Sequence, residues 1–287
     1  MTAFIAIQLL ALTDNAYLRA AIWLAHGAVQ GTTGFGFWVI GHECGHQAYF
    51  GDRFHLNNAV GLVIHSFMIT PFHAWKITHA THHRFTNNAE KDTAFVPYDE
   101  PSAFWAIGES FPLIHVIPMA IYLLIGFPMY ILLNYEGHEY PEFWSHFNPN
   151  APMFRKQDRT DIIVSNVAWG VMFSILIACA VSFGLAPVLL WYGLPLLGVN
   201  AWLVCVTFLQ HSDVRLGHYH EGDNFDFLKG ALAAVDRTYG WPLDNMMHHI
   251  TNGHVVHHIF SHMPFYHAIK ATPYVKKFCG EKYYLCD

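Results

Sequence analysis

DIIVSNVAWGVMFSILIACAVSF, residues 161–183, carries one charged side chain, at its first position. VLLWYGLPLLGVNAWLVCVTFL, residues 188–209, follows after the short turn GLAP (184–187). About 20 apolar residues of helix cross the hydrocarbon core of a bilayer. Two adjacent blocks of that length are hard to bury in a soluble core, so the chain reads as an integral membrane protein. A third apolar block, AIYLLIGFPMYILL, occupies 120–133. The whole chain has 287 residues, 53% of them hydrophobic, and a formal net charge of −6 with histidine neutral. That balance gives no footing for nucleic acid. Cys44, Cys179, Cys205, Cys279 and Cys286 form no C-x-x-C pair, which fits the reducing side of a membrane rather than a disulfide framework. The opening MTAFIAIQLLALTDNAYLR lacks the basic start and cleavage site of a signal peptide.

Basic residues set the sidedness. Lys76, Arg84 and Lys91 come before the third block, and Arg155, Lys156 and Arg159 precede 161–183. Arg215, Lys229 and Arg237 follow 188–209, and Lys270, Lys276, Lys277 and Lys282 close the chain. The positive-inside rule puts all of these in the cytosol. The expected fold class is then an all-α integral membrane protein. Two transmembrane helical hairpins, 1–40 and 161–209, carry re-entrant or interfacial segments near 56–72 and 111–134. A cytosolic helical cap made from 41–110 and 210–287 would hold a di-metal site, with 1–287 forming one domain. By parity, 111–134 starts and ends on the same side. Gly27 and Gly31 read as positions of close helix packing.

Histidine is the residue that the membrane reading does not explain. There are 22, more than all Lys and Arg together. HECGH (42–46), HATHH (79–83) and HVVHH (254–258) place His42 and His46 four apart, and repeat the spacing 0, +3, +4 at His79, His82, His83 and at His254, His257, His258. Residues three and four apart share a helix face. Each box therefore projects its imidazoles in one direction, as a metal centre requires. Eight rings are too many for one ion and suit two. Glu43, next to His42, points about 100° away on a helix and reads as a partner that orients a ring rather than a ligand. Cys44 lies opposite the ligands and reads as a small packing residue. Spacing does not choose among iron, copper and zinc.

HECGHQAYF (42–50), HATHHRFTNN (79–88) and HVVHHIFSHMPFYHAIKAT (254–272) resemble the three histidine boxes of membrane-bound fatty acid desaturases, closest to the Δ12 (oleate, ω-6) class of the endoplasmic reticulum. LVIHSFMITPFHAWKITHATHH (62–83), FLQHSDVRLGHY (208–219) and KGALAAVDRTYG (229–240) resemble the stretches that lead into the second and third boxes. The resemblance implies two non-haem irons, O2 as co-substrate and electrons from cytochrome b5 with its NADH-dependent reductase. It implies a fatty-acyl lipid substrate, phosphatidylcholine-linked or acyl-CoA, and boxes facing the cytosol. It also adds His211 in LQHSD to the ligands and offers His248 as a residue behind them; His73, close to Trp75, reads either as another such residue or as an interfacial one. Members of the class usually begin with a longer tail and a complete first span. Here MTAFIAIQLLALT stands in that place and reads as a truncated first hairpin. No His-Pro-Gly-Gly haem motif is present. The same boxes are shared by ω-3 desaturases, hydroxylases, epoxygenases, conjugases and acetylenases. A histidine-rich metal-binding or transport protein is the alternative of a different class. It expects charged or histidine side chains at mid-membrane depth, and no Asp, Glu, Lys, Arg or His occurs between Ile162 and Leu209.

Overall fold

The computed structural model describes residues 2–94 and 112–286. The part of the expected cap from 95 to 110, and residue 111, lie outside the described residues. Helix α1 is Thr2–Ala11, α2 is Ala16–Gly45, α3 is Phe54–Phe67 and α4 is Phe72–Phe85. After a 3-10 turn at Pro112–His115 comes α5, Val116–Leu133; α6 is Arg159–Phe183 and α7 is Leu185–His211. Four short helices follow in the cap: α8 Phe227–Ala231, α9 Leu243–Met246, α10 His254–Ile259 and α11 Phe265–Cys279. Two three-residue strands, β1 Val235–Arg237 and β2 Tyr284–Cys286, pair in parallel. They are too short to show a period in the sequence.

Among the described residues three stretches, Leu113–Leu133, Lys156–Phe183 and Leu185–His211, are long and apolar enough to cross a membrane. Their outer faces leave large apolar side chains uncovered, among them Ile163, Val167, Val171 and Ile175 on α6. A soluble monomer does not carry apolar surface on this scale without a partner for it. Helix α1 has ten residues, about 15 Å at 1.5 Å per residue, half of what a span needs. It is tied to α2 through Arg19, whose Nη1 donates to the carbonyls of Leu10 (2.8 Å) and Thr13 (3.1 Å) at the α1 C-terminus. Asn15 caps α2 by accepting from the amides of Tyr17 and Leu18.

The central pair is α2 against α7. A Cβ built on Gly31 would stand 2.7 Å from Cα of Gly198, and one on Gly27 would stand 2.6 Å from Cγ of Leu194. Bare backbone at these positions is what lets the helices touch, as the glycine spacing suggested. Helix α3 turns back along α2: Gly61 lies beside Cys44, and His65 Nε2 reaches the carbonyl of Trp38 at 3.2 Å. Helix α4 then returns toward the boxes. The bend between α3 and α4 is held from outside. Trp169 donates to Ile69 O (3.1 Å), Tyr192 to Phe67 O (2.6 Å), and Ser165 Oγ accepts from the amide of His73 (2.7 Å).

Two expectations change. The hairpin of 161–209 turns at Gly184, but its legs diverge, α6 packing on α3 and α4 and α7 on α2 and α5. The described part of the segment 111–134 shows no reversal within it. Helix α5 runs unbroken through Pro128 and parallel to α7. Asn200 donates to Leu124 O (3.3 Å), and two residues further on Gly126 meets Val204. Its C-terminal end stands with the histidine boxes, where Tyr130 OH donates to Thr93 O at 3.0 Å. Inside an apolar helix a proline costs one backbone bond, which neighbouring helices tolerate.

Candidate metal centre

The boxes sit at helix ends on one side of the molecule. His42 lies in the last turn of α2 and His46 caps it; His79, His82 and His83 end α4; His211 ends α7; His254, His257 and His258 lie on α10. Among the described residues their ring nitrogens fall into two groups, each within 4.8 Å: His42, His46, His79, His83 and His257 in the first; His82, His211 and His258 in the second. His254 belongs with the second, its Nε2 lying 3.1 Å from Nε2 of both His211 and His258. All nine predicted rings are therefore assembled, five and four. The two H-x-x-H-H boxes are used reciprocally. In box two the outer pair, His79 and His83, serves the first group and His82 the second. In box three His254 and His258 serve the second group and His257 the first.

Hydrogen-bond partners fix the tautomers of three rings of the second group. His82 Nδ1 donates to the buried carboxylate of Asp92 at 2.9 and 3.0 Å. His254 Nδ1 donates to Ile250 O at 3.1 Å. Thr86 spends its own proton on His82 O (2.8 Å), so His258 Nδ1 donates to Thr86 Oγ1 (3.2 Å). Nε2 of His254 and of His258 then face each other at 3.1 Å with a lone pair on each, and a bound cation resolves that conflict. In the first group Glu43 stands beside Nδ1 of His42 (3.5 Å) and of His257 (3.8 Å), and accepts from the amide of Phe265 (2.9 Å). Nε2 of His46 and of His257 are buried without a partner among the described residues. The donor set thus fits two metal ions.

Burial, then the neighbouring imidazoles, holds His79, His83, His257 and His258 well below the usual histidine range. The rings are neutral at pH 7, the state that binds a metal.

The residues proposed to stand behind the ligands fare differently. Glu43 reaches two rings, as its position suggested. His248 joins neither group; its ring packs on Phe265 at 4.6 Å. His73 is a correction: it sits at the far end of α4, against Phe72, and its backbone docks on Ser165. Six residues before His79 it falls about 240° round the helix, off the ligand face. Asp92 and Thr86 were not foreseen. An acid ten residues after His82 in a loop has no helical phase to betray it.

An apolar cavity of about 110 Å³ lies against both groups. His42, His79, His82, His211, His254 and His258 form one end. Phe35 and Trp38 of α2, Phe127 of α5 and Leu203 of α7 line it below. Its mostly apolar walls with a few polar groups at one end suit an apolar ligand.

Residues 19–287 match the family model described as fatty acid desaturase. The chain belongs to the fatty acid desaturase family. It is 39% identical over 96% of its length to a Δ(12) fatty acid desaturase of Mortierella isabellina, covering 72% of that protein. It is 41% identical over 93% of its length to an omega-6 fatty acid desaturase, endoplasmic reticulum, of Brassica juncea, covering 69%. A Δ(12)-fatty-acid desaturase of Arabidopsis thaliana is 40% identical over 91% of the chain, with 68% covered. The chain is accordingly an oxidoreductase, and the desaturase boxes quoted above are the residues that converge here.

Proposed function

We propose that this desaturase inserts a cis double bond at Δ12 of an oleoyl-lipid, giving a linoleoyl-lipid. The observation that carries the reading is a pair of neutral histidine groups opening directly into an apolar cavity. The family and the names of its relatives supply the reaction class. The balance is –CH2–CH2– + O2 + 2 e⁻ + 2 H⁺ → –CH=CH– + 2 H2O.

Two irons, held by the five and four rings, supply the oxidising chemistry when bound. The chain's own part is to position and to exclude water. Glu43 and Asp92 hold rings in the tautomer that leaves a lone pair toward the metal. Phe35, Trp38, Phe127 and Leu203 line the space for the acyl chain. Burial of each CH2 contributes roughly 0.8 kcal/mol, so about ten methylenes gain roughly 8 kcal/mol. A slip of one methylene changes this by less than a kilocalorie, so the position of the bond is set by the walls and the anchor of the chain. The reading places the boxes on the cytosolic face of the endoplasmic reticulum, where cytochrome b5 and its reductase deliver electrons. α2, α5, α6 and α7 cross the membrane, and α3 dips in and returns with α4. The basic residues clustered near the box ends support that sidedness.

Expression in yeast with fatty-acid profiling tests the reading. A new 18:2 with double bonds at 9 and 12 is expected. A hydroxy or acetylenic product, or 18:3 made from added linoleate, overturns it. His42→Ala, His82→Ala and His257→Ala are each expected to abolish product.

A further inference from the structure

The two ring groups are built unequally. Four of the five rings of the first come from α2 with its cap and from α4. The second draws His82 from α4, His211 from the end of α7, and His254 and His258 from α10. Three of its four rings therefore depend on how α7 and α10 are spaced.

One dipeptide bridges those two elements. Asp236, buried in β1, accepts from the amide of Val255 through Oδ1 (2.9 Å), in the first turn of α10. The next residue, Arg237, donates from Nε to Leu209 O (2.7 Å), two residues before His211. Its amide also donates to Thr251 O (2.9 Å), three residues before His254. The same Thr251 carbonyl accepts from Gln210 Nε2 at 3.1 Å. The second oxygen of Asp236 accepts from the hydroxyl of Tyr283, next to β2, and β2 pairs with β1 at Val235↔Tyr284.

We propose that Asp236 and Arg237 are positioning residues for the second group: they hold α10 and the end of α7 at the spacing that brings His254, His258 and His211 together, with the C-terminal strand as their brace. The proposal rests on the two-metal reading above. The side-chain bonds of both residues given above run to backbone groups and to the Tyr283 hydroxyl. Loss of either loosens the second group while the first keeps four rings on α2 and α4.

The test is Co(II) titration of the full-length, metal-stripped protein in detergent, followed by visible absorption and metal content. His46→Ala and His211→Ala identify which binding event belongs to which group. Asp236→Ala and Arg237→Met are expected to weaken the second site about 10- to 100-fold, the usual effect of removing a residue behind the ligands, and the first by less than about 3-fold. Asp236→Asn keeps an acceptor for the Val255 amide and is expected to restore the second site to within about 3-fold. Should Asp236→Ala not fold, Tyr283→Phe carries the test, with about 3- to 10-fold weakening confined to the second site. Unchanged binding in these variants, or equal weakening of both sites, overturns the proposal. Wild-type protein that takes up fewer than two ions overturns the two-metal reading itself, a different result.

Discussion

Asp92 accepts from His82 with both carboxylate oxygens and from the amides of Asn87 and Ala94, each at 3.1 Å. Burial pushes its carboxyl up, against the pull of His82. Asp92→Ala leaves the His82 ring free to change tautomer and turn. We expect metal at the second group to be lost about 10- to 100-fold more readily to a chelator, while His42→Ala acts on the first group. Equal retention in Asp92→Ala and wild type counts against this role. At this scale the ligands are legible in the sequence, because helical spacing by itself turns His79, His82 and His83 into a face. The residues behind them are legible only where the helix itself sets their direction, as it does for Glu43, about 100° round from His42. Asp92 and Thr86 come from the end of α4 and the loop after it, and His73 is on the helix but on the wrong side.

Helix packing is set by a few bare positions. Gly31 and Gly198 bring the backbones of α2 and α7 into contact, and both helices end in ligands. Gly31→Val forces the pair apart or bends it, an overpacking that typically costs about 1–3 kcal/mol. A lower melting temperature in detergent is the expected result, and an unchanged one would refute close packing as the role of Gly31. The apolar blocks make α5, α6 and α7 visible in the sequence, and the glycines make the α2 contact visible. Which helices stand beside which is not visible there. The turn at Gly184 joins α6 to α7 in sequence, yet α3 and α4 claim α6 through Ser165 and Trp169. Charge parity also gives no hint that α5 is one unbroken helix beside α7, since flanking charges report on a helix end only when every crossing has been counted.

Over the whole molecule, the buried histidines tie stability to pH. His79, His83, His257 and His258 have folded pKa values well below 6.5, and unfolding restores them to about 6.5. Above that value both states are neutral and stability is flat. Below it the unfolded chain binds protons that the folded one refuses, so stability falls by about 1.4 kcal/mol per pH unit for each such ring. Metal-stripped protein should therefore hold its melting temperature above about pH 7 and lose it steeply below 6.5; a melting temperature that rises on acidification would contradict the burial of these rings. The reciprocal use of boxes two and three also gives the spelling of the boxes a meaning. Neighbouring residues on a helix face directions about 100° apart, so a doubled histidine marks a helix that straddles both centres. Box one is spelled H-x-x-G-H. The position a doublet would need is Gly45, and a Cβ there would stand 3.1 Å from the Trp75 ring. Box one is thus an arm that can reach one centre only, and Gly45→His is a substitution that adds a histidine without adding a ligand.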